Sequence, residues 1–292
     1  MTTGSTTTAQ APTTAQAPAV AQAPAVDRAP AVDRAPARQA RNSAAFWAAT
    51  GRSRGHQVIR RRGFLAVDGD GRTGLRILLQ EPDPDAGDLA ELADLVGRAA
   101  GPVTAEDPFS TTDLAHLGLR GWQMPVMLRP PTPATPPAPA TPAASPAPAG
   151  AATAAGAPVV EVVRVRQAGE LRAAERVVIE GFELSALEPH RPGELFPPAL
   201  LGEPGVDVFL ACAEGTAVGA LVRVVHEGAG SHYWVAASPR ARSRGVGRAV
   251  MLASLADRPD LPFTLTASKL GRPLYESLGY TAAAPATWWA SR

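Results

Sequence analysis

The chain has a single cysteine, Cys212, among 292 residues. One thiol can form neither an internal disulfide nor a cysteine-based metal site. Neither sign of charge is in excess: 28 Lys and Arg stand against 27 Asp and Glu. No global field therefore draws the chain to nucleic acid or to a membrane surface. A continuous apolar run of about 18 residues is also missing, so no membrane-spanning helix is expected. Residues 1–10 have neither a basic start nor an apolar stretch, which argues against a secretory signal. The expectation is a soluble, cytoplasmic protein.

Proline is plentiful and unevenly placed, with five in residues 1–42 and ten in residues 130–158. Pro12, Pro18, Pro24, Pro30 and Pro36 recur every six residues. That repeat has almost no large side chain to bury, so it cannot offset the entropy of ordering, and 1–42 reads as a disordered tail. Residues 130–158 carry no charge and read as an extended, semi-rigid linker. Roughly 220 residues remain, ample for a sizeable core.

These fall into two segments, 43–129 and 159–292. In the first, 43–49 reads as a short helix carrying Phe46 and Trp47. Two apolar runs around Asp68-Gly-Asp-Gly71 read as a hairpin over 63–79. Leu89, Leu92, Val96 and Ala99 share one helical face over 88–100. A strand at 102–106, a short helix at 113–117 and a strand at 122–128 complete it. Arg60-Arg61-Arg62 reads as a solvated face. In the second segment, strands are expected at 159–165, 206–213, 217–225, 232–237, 263–267 and 286–290. Helices are expected at 170–182, 247–256 and 272–278. The order implies an α/β (α+β) fold: a mixed, mostly antiparallel twisted sheet flanked by helices, with a smaller N-terminal α/β segment.

The informative stretch runs from Tyr233 to Leu252. A strand enters a loop rich in Arg and Gly, and the loop opens directly into a helix. The first amides of a helix lack internal partners and the helix dipole adds positive potential, so such a start suits an anion. Gly245 and Gly247 let a phosphate approach the backbone, and Arg242, Arg244 and Arg248 add charge. No Lys-Ser/Thr follows as in a Walker loop, and Val250 stands where a dinucleotide fingerprint needs its third Gly.

The arrangement Arg242-x-x-Gly245-x-Gly247 resembles the pyrophosphate loop of the GCN5-related N-acetyltransferases. A second stretch, Leu265-Thr-Ala-Ser268-Lys-Leu-Gly-Arg272-Pro-Leu-Tyr275-Glu-Ser-Leu-Gly279-Tyr280, resembles a later motif of the same family. The resemblance covers 159–292. It implies direct transfer of an acetyl group from acetyl-CoA, without a metal, to an amine of a small molecule, peptide or protein. It also implies that Arg242, Ser243, Arg244, Gly245, Val246, Gly247 and Arg248 hold the pyrophosphate. Val235, Ala236 and Ala237 would pair with the pantetheine arm, and Ser268 and Arg272 would line the cofactor's side. Tyr275 would either protonate the departing thiolate or simply pack.

The residues leave the general base open among Glu183, Glu188, His226, Glu227, His232 and water. The strand at 232–237 has no carboxylate in its middle, a departure from family members with a Glu there. The loop at His190-Arg191-Pro192 is expected to lie over the acceptor pocket. Trp288 and Trp289 should face opposite sides of a strand, with at least one in the core. Cys212, among Phe209, Leu210 and Ala211, reads as a small buried hydrophobe. Val103-Thr-Ala-Glu106 and Leu117-Gly118-Leu119 echo Leu265-Thr-Ala-Ser268 and Leu278-Gly279-Tyr280. The first segment therefore reads as a shortened, non-catalytic copy, against chance likeness of two α/β pieces. The rival to an enzyme is a CoA-binding or scaffold protein that keeps the fold without turnover. Nucleic-acid binding through the loop arginines lacks supporting aromatics.

Overall fold

The computed structural model describes residue 1 and residues 34–132 and 160–291. Most of the proline repeat and nearly all of the expected linker lie outside the described residues. The described chain forms α1 (Ala35–Arg54), β1 (Gln57–Arg60), β2 (Phe64–Asp68), β3 (Leu75–Leu79), α2 (Ala86–Arg98), β4 (Val103–Asp107) and β5 (Arg120–Arg129). Then follow β6 (Val160–Arg164), α3 (Ala168–Phe182), β7 (Val206–Ala213), β8 (Thr216–His226), β9 (Ala229–Ala237), α4 (Val246–Asp257), β10 (Phe263–Thr266), α5 (Arg272–Ser277) and β11 (Thr281–Ala290).

The first helix starts at Ala35, inside the segment read as tail, and not at residue 43. Pro36 sits in its first turn, where a missing N–H costs nothing. Gln39 and Ala40 are buried, so a truncation through residue 42 removes core residues as well as repeat. The expected helix at 113–117 is a single 3-10 turn, Ala115–Leu117, ended by Gly118. The arginine run is exposed as expected, with Arg60 ending β1, a strand missing from the sequence reading.

All eleven strands join one sheet in the order β1-β2-β3-β4-β11-β5-β10-β9-β8-β7-β6. Its centre is an exchange. β11, the last strand, pairs with β4 and β5 of the first segment, and β5 pairs in turn with β10. On each side of the β11–β5 pair the pattern is alike: β3 runs parallel to β4, and β9 runs parallel to β10. Trp122 lies opposite Trp288 in this central pair. The two segments are thus interlocked through their final strands.

Helices α1 and α3 cover one face, packing Phe46, Trp47, Leu171 and Val178 onto Leu65, Val208, Val222 and Ala236. On the other face α4 and α5 pack Val250, Met251 and Tyr275 with Phe263 and Leu265. α2 packs Leu92 and Leu95 with Ile77, Ala105 and Trp289. Trp289 is buried there, while Trp288 lies beside Arg76. Cys212 is partly buried, and burial raises its thiol pKa, which disfavours the thiolate. No helix among the described residues is long and apolar enough to cross a membrane.

The parallel contact between β9 and β10 depends on Gly230, where a Cβ would overlap the Phe263 ring. We expect Gly230→Ala to cost about 1–3 kcal/mol through overpacking. A urea titration checks this, and an unmoved midpoint would show that the ring relaxes freely.

Candidate functional site

β9 and β10 pair over only two positions, Gly230↔Phe263 and Ser231↔Thr264. Beyond them the strands part. β10 continues along β5, with Leu265 opposite Met127 and the Ala267 amide donating to the Pro125 carbonyl at 3.0 Å. β9 continues along β8, with Ala236 opposite Ala220 and Ala237 opposite Gly219. A bulge separates Tyr233 from Ala236, and Trp234 there has φ 52°. Among the described residues no strand pairs with the edge of β9 from His232 onward on its β10 side, which leaves that edge open to an extended ligand.

This open edge leads into the Arg/Gly loop. Pro239–Ala241 form a 3-10 turn, Ser243 has φ 61°, and Gly245 caps α4 with φ 78°. Val246 is buried in the space left by Gly219's missing side chain, which anchors the helix start against β8. Arg242 donates to the Gly181 carbonyl at 2.9 Å and lies 3.6 Å from Glu183, tying the loop to the end of α3. Arg248 reaches Ser277 Oγ at 3.0 Å and so ties α4 to α5. Arg244 is exposed and lines, with Arg240, a cleft of about 1020 Å³ beside the β7–β8 turn. Val235 and Ala237 are half-buried and Ala236 is buried. Of the expected cofactor residues, Arg244 lines this cleft, while Val235–Ala237 lead along β9 to Ser238 and Pro239, which also line it.

Ser268 and Arg272 have structural partners at the start of α5. Ser268 Oγ accepts from the Gly271 amide at 3.1 Å, and Arg272 pairs with Glu276 at 2.7 Å. Tyr275 lies on the α4/α5 face, 6.0 Å edge-on from Tyr280. Burial pushes its hydroxyl up to about 12, so it keeps its proton through the neutral range.

The base candidates separate. His232 is sealed in the core, with Nδ1 3.0 Å from the Tyr280 hydroxyl, Nε2 2.9 Å from Ser254 Oγ and its ring stacked on Phe263. Burial pushes it down to about 3, with Arg223 adding repulsion. His226 and Glu227 sit at the far end of β9; at about 3.3 Å per residue, Glu227 is roughly 25 Å from Val235. These three are corrected out of the list of bases. Glu188 accepts from the His190 amide and faces Arg176 at 3.5 Å. Glu183, by contrast, lines a cavity beside Trp234.

His232 has a consequence for stability. Between pH 6.5 and about 3 only the unfolded chain protonates it, so its contribution is complete above 6.5 and is lost as pH falls. The loss by pH 5 is about 2 kcal/mol. Stability titrations of wild type and His232→Gln are expected to differ by this slope; parallel curves would refute it.

Three carboxylates that the sequence reading left unassigned are fully buried: Asp107, which accepts from the amides of the turn after β4, and Glu175 and Glu106. Glu175 of α3 accepts from the amides of Gly193, Leu195 and Phe196 at 2.8, 2.7 and 3.1 Å, and lies 3.1 Å from His190 Nε2. It clamps the His190 loop, whose Glu194 and Leu195 line the same cavity as Trp234. Glu106 of β4 is held by Gln39 and Ser43 of α1 and lies 3.4 Å from Thr266 of β10. Ser43 Oγ is also 3.0 Å from the Tyr233 hydroxyl. Burial raises the Glu106 pKa despite these bonds. Among the described residues no group of His, Cys, Asp and Glu is placed to hold a metal.

A sheet opened between two parallel strands, with a glycine-capped helix at the mouth, frames the candidate site. No family model matches the sequence, and no curated protein matches it. Among solved structures, a GCN5-related N-acetyltransferase from Kribbella flavida matches at TM-score 0.52 and 18% identity, over 87% of this chain and 95% of that chain. A functionally unknown conserved protein from Staphylococcus epidermidis matches at TM-score 0.50 and 8% identity, over 81% and 94%. The chain has the fold of the GCN5-related N-acetyltransferases, and the likeness extends beyond 159–292 into the first segment.

Proposed function

We propose that this chain is an acetyl-CoA-dependent N-acetyltransferase whose catalytic half is 159–292. The observation that carries the reading is the parting of β9 from β10 beside a helix start capped by Gly245. Acetyl-CoA fits what is present: an open strand edge for an extended amide-bearing arm, and unpaired helix amides with adjacent arginines for a pyrophosphate. The amides of 243–247 would hold the pyrophosphate, and Val235–Ala237 the arm. The cosubstrate supplies an activated acetyl thioester. Tyr275 holds a proton at its hydroxyl for a leaving thiolate, and α1 covers the opposite face of the opening with Phe46 and Trp47. With His232, His226 and Glu227 set aside, proton removal from the amine falls to Glu183, Glu188 or water.

The first half is best read as a non-catalytic copy. Its matching loop, from β3 to α2, reads Gln80-Glu-Pro-Asp-Pro-Asp85 and carries acids where the second half has arginines. Asp85 caps α2 by accepting from the Asp88 amide at 2.8 Å, so that helix start already has its anion.

Acetyl-CoA is expected to raise the thermal midpoint of the full chain, by several kcal/mol of stabilisation at concentrations far above its dissociation constant. No shift at millimolar acetyl-CoA would overturn the reading. Binding without CoA release on any amine would leave a CoA-binding protein.

A further inference from the structure

A cavity of about 350 Å³ lies on the α1/α3 face between the two halves. Trp234, at the bulge where β9 parts from β10, forms the wall nearest the open edge; Trp47 of α1 and Leu195 of the clamped loop form others. The volume suits a small molecule.

Its charge is unbalanced. Three guanidinium groups line it, from Arg54, Arg72 and Arg76. Arg72 is neutralised by a two-pronged pair with Glu194. Arg54 donates to the Leu195 carbonyl at 2.6 Å, but its Nε is buried without a partner. Among the described residues none accepts a hydrogen bond from Arg76. Its guanidinium lies 3.9 Å over the Trp47 ring and 5.3 Å from the Trp288 ring, and its Nη1 is buried and unpartnered. The carboxylates nearby are committed elsewhere. Glu106 attracts Arg76 but bonds Gln39 and Ser43. Glu175, Asp70 and Glu194 attract Arg54, but Glu175 is used by the His190 loop, Asp70 by the amides of Arg72 and Thr73, and Glu194 by Arg72. Glu183 is 78% exposed and faces Arg242. Burial pushes both Arg54 and Arg76 down to about 10, which leaves each charged at neutral pH. Two half-buried guanidinium groups, each with one buried nitrogen lacking a partner, are completed by an anion that reaches them. A planar carboxylate matches the guanidinium fork.

We propose that the cavity takes a small amine that also bears a carboxylate, an amino-acid-like acceptor, with its carboxylate on Arg76 and Arg54 and its amine toward Trp234 and the open edge of β9. This rests on the acetyltransferase reading for the fate of the amine, but the binding of the carboxylate does not.

The test uses the purified full chain and matched pairs: an amino acid such as leucine or phenylalanine, and the amine left when its carboxylate is removed. Binding is followed by tryptophan fluorescence with CoA present, and transfer by release of CoA thiol from acetyl-CoA. We expect saturable quenching by amino acids and at least about a hundredfold lower kcat/KM for the decarboxylated partners. Arg76→Met is expected to remove amino-acid binding while keeping a cooperative thermal transition, since Met retains the packing against Trp47. Arg54→Gln, which keeps donors, is a milder second variant. Amino acids that bind but are not acetylated would uphold the pocket and overturn the transferase reading. Decarboxylated amines acetylated as well as their parents, or no binding of any amino acid tried, would overturn the pocket.

Discussion

Gly247→Asp is expected to weaken acetyl-CoA binding by at least a hundredfold, about 2.8 kcal/mol, in a protein that still folds. Gly247 is the second residue of α4. A Cβ there meets only Leu274 Cδ2, at 3.2 Å, the far end of a flexible side chain that can give way. A carboxylate in the first turn even favours the helix. It does so by taking the position, and the field, that the pyrophosphate would use, so repulsion and lost amide contact act together. Calorimetric titration of acetyl-CoA against wild type and variant, with thermal midpoints in parallel, reads both effects. Undiminished affinity in a folded variant would move the phosphate site away from this loop.

Tyr275→Phe tests the chemistry apart from binding. The ring packs against Tyr280 among Leu265, Leu278 and Val250, and Phe keeps that packing. What disappears is one proton, held by a hydroxyl whose pKa burial has raised to about 12. If that proton goes to the departing thiolate, turnover drops by about 10²–10⁴-fold while acetyl-CoA affinity is kept. Single-turnover measurements of CoA release separate this from a change in KM. Wild-type turnover in the variant would leave Tyr275 a packed aromatic.

The local parts of this fold were legible because their signals are local. The bounds 206–213 for β7 came from an apolar run ended by a Gly-containing turn, and the Arg/Gly loop stood out because two glycines and several arginines meet at a helix start. The parts that were missed depend on distant partners. Glu106 and Glu175 look like any acid on a strand or helix; only the assembled structure shows amides and hydroxyls of remote segments closing on them. His232 read as a titratable group because burial is not written in one residue's neighbours. α1 began eight residues early because Ala35, Gln39 and Ala40 find cover from other elements. The exchange of β5 and β11 has no local signature at all: both are apolar strands, and which edge each joins is settled by long-range pairing.

That exchange has a consequence for how the chain is made. β4 and β5 are synthesised long before β11, yet β11 is the strand that lies between them. Until β11 leaves the ribosome, the nascent first segment presents strand edges on β4 and β5 that β11 later covers. Bare edges invite pairing with other chains. The final ten residues of β11 thus act as a closing key, and a chain cut short before Thr281 is expected to aggregate during expression rather than survive as a stable half. Supplying a β11 peptide in trans to such a fragment would be a direct way to see the key turn.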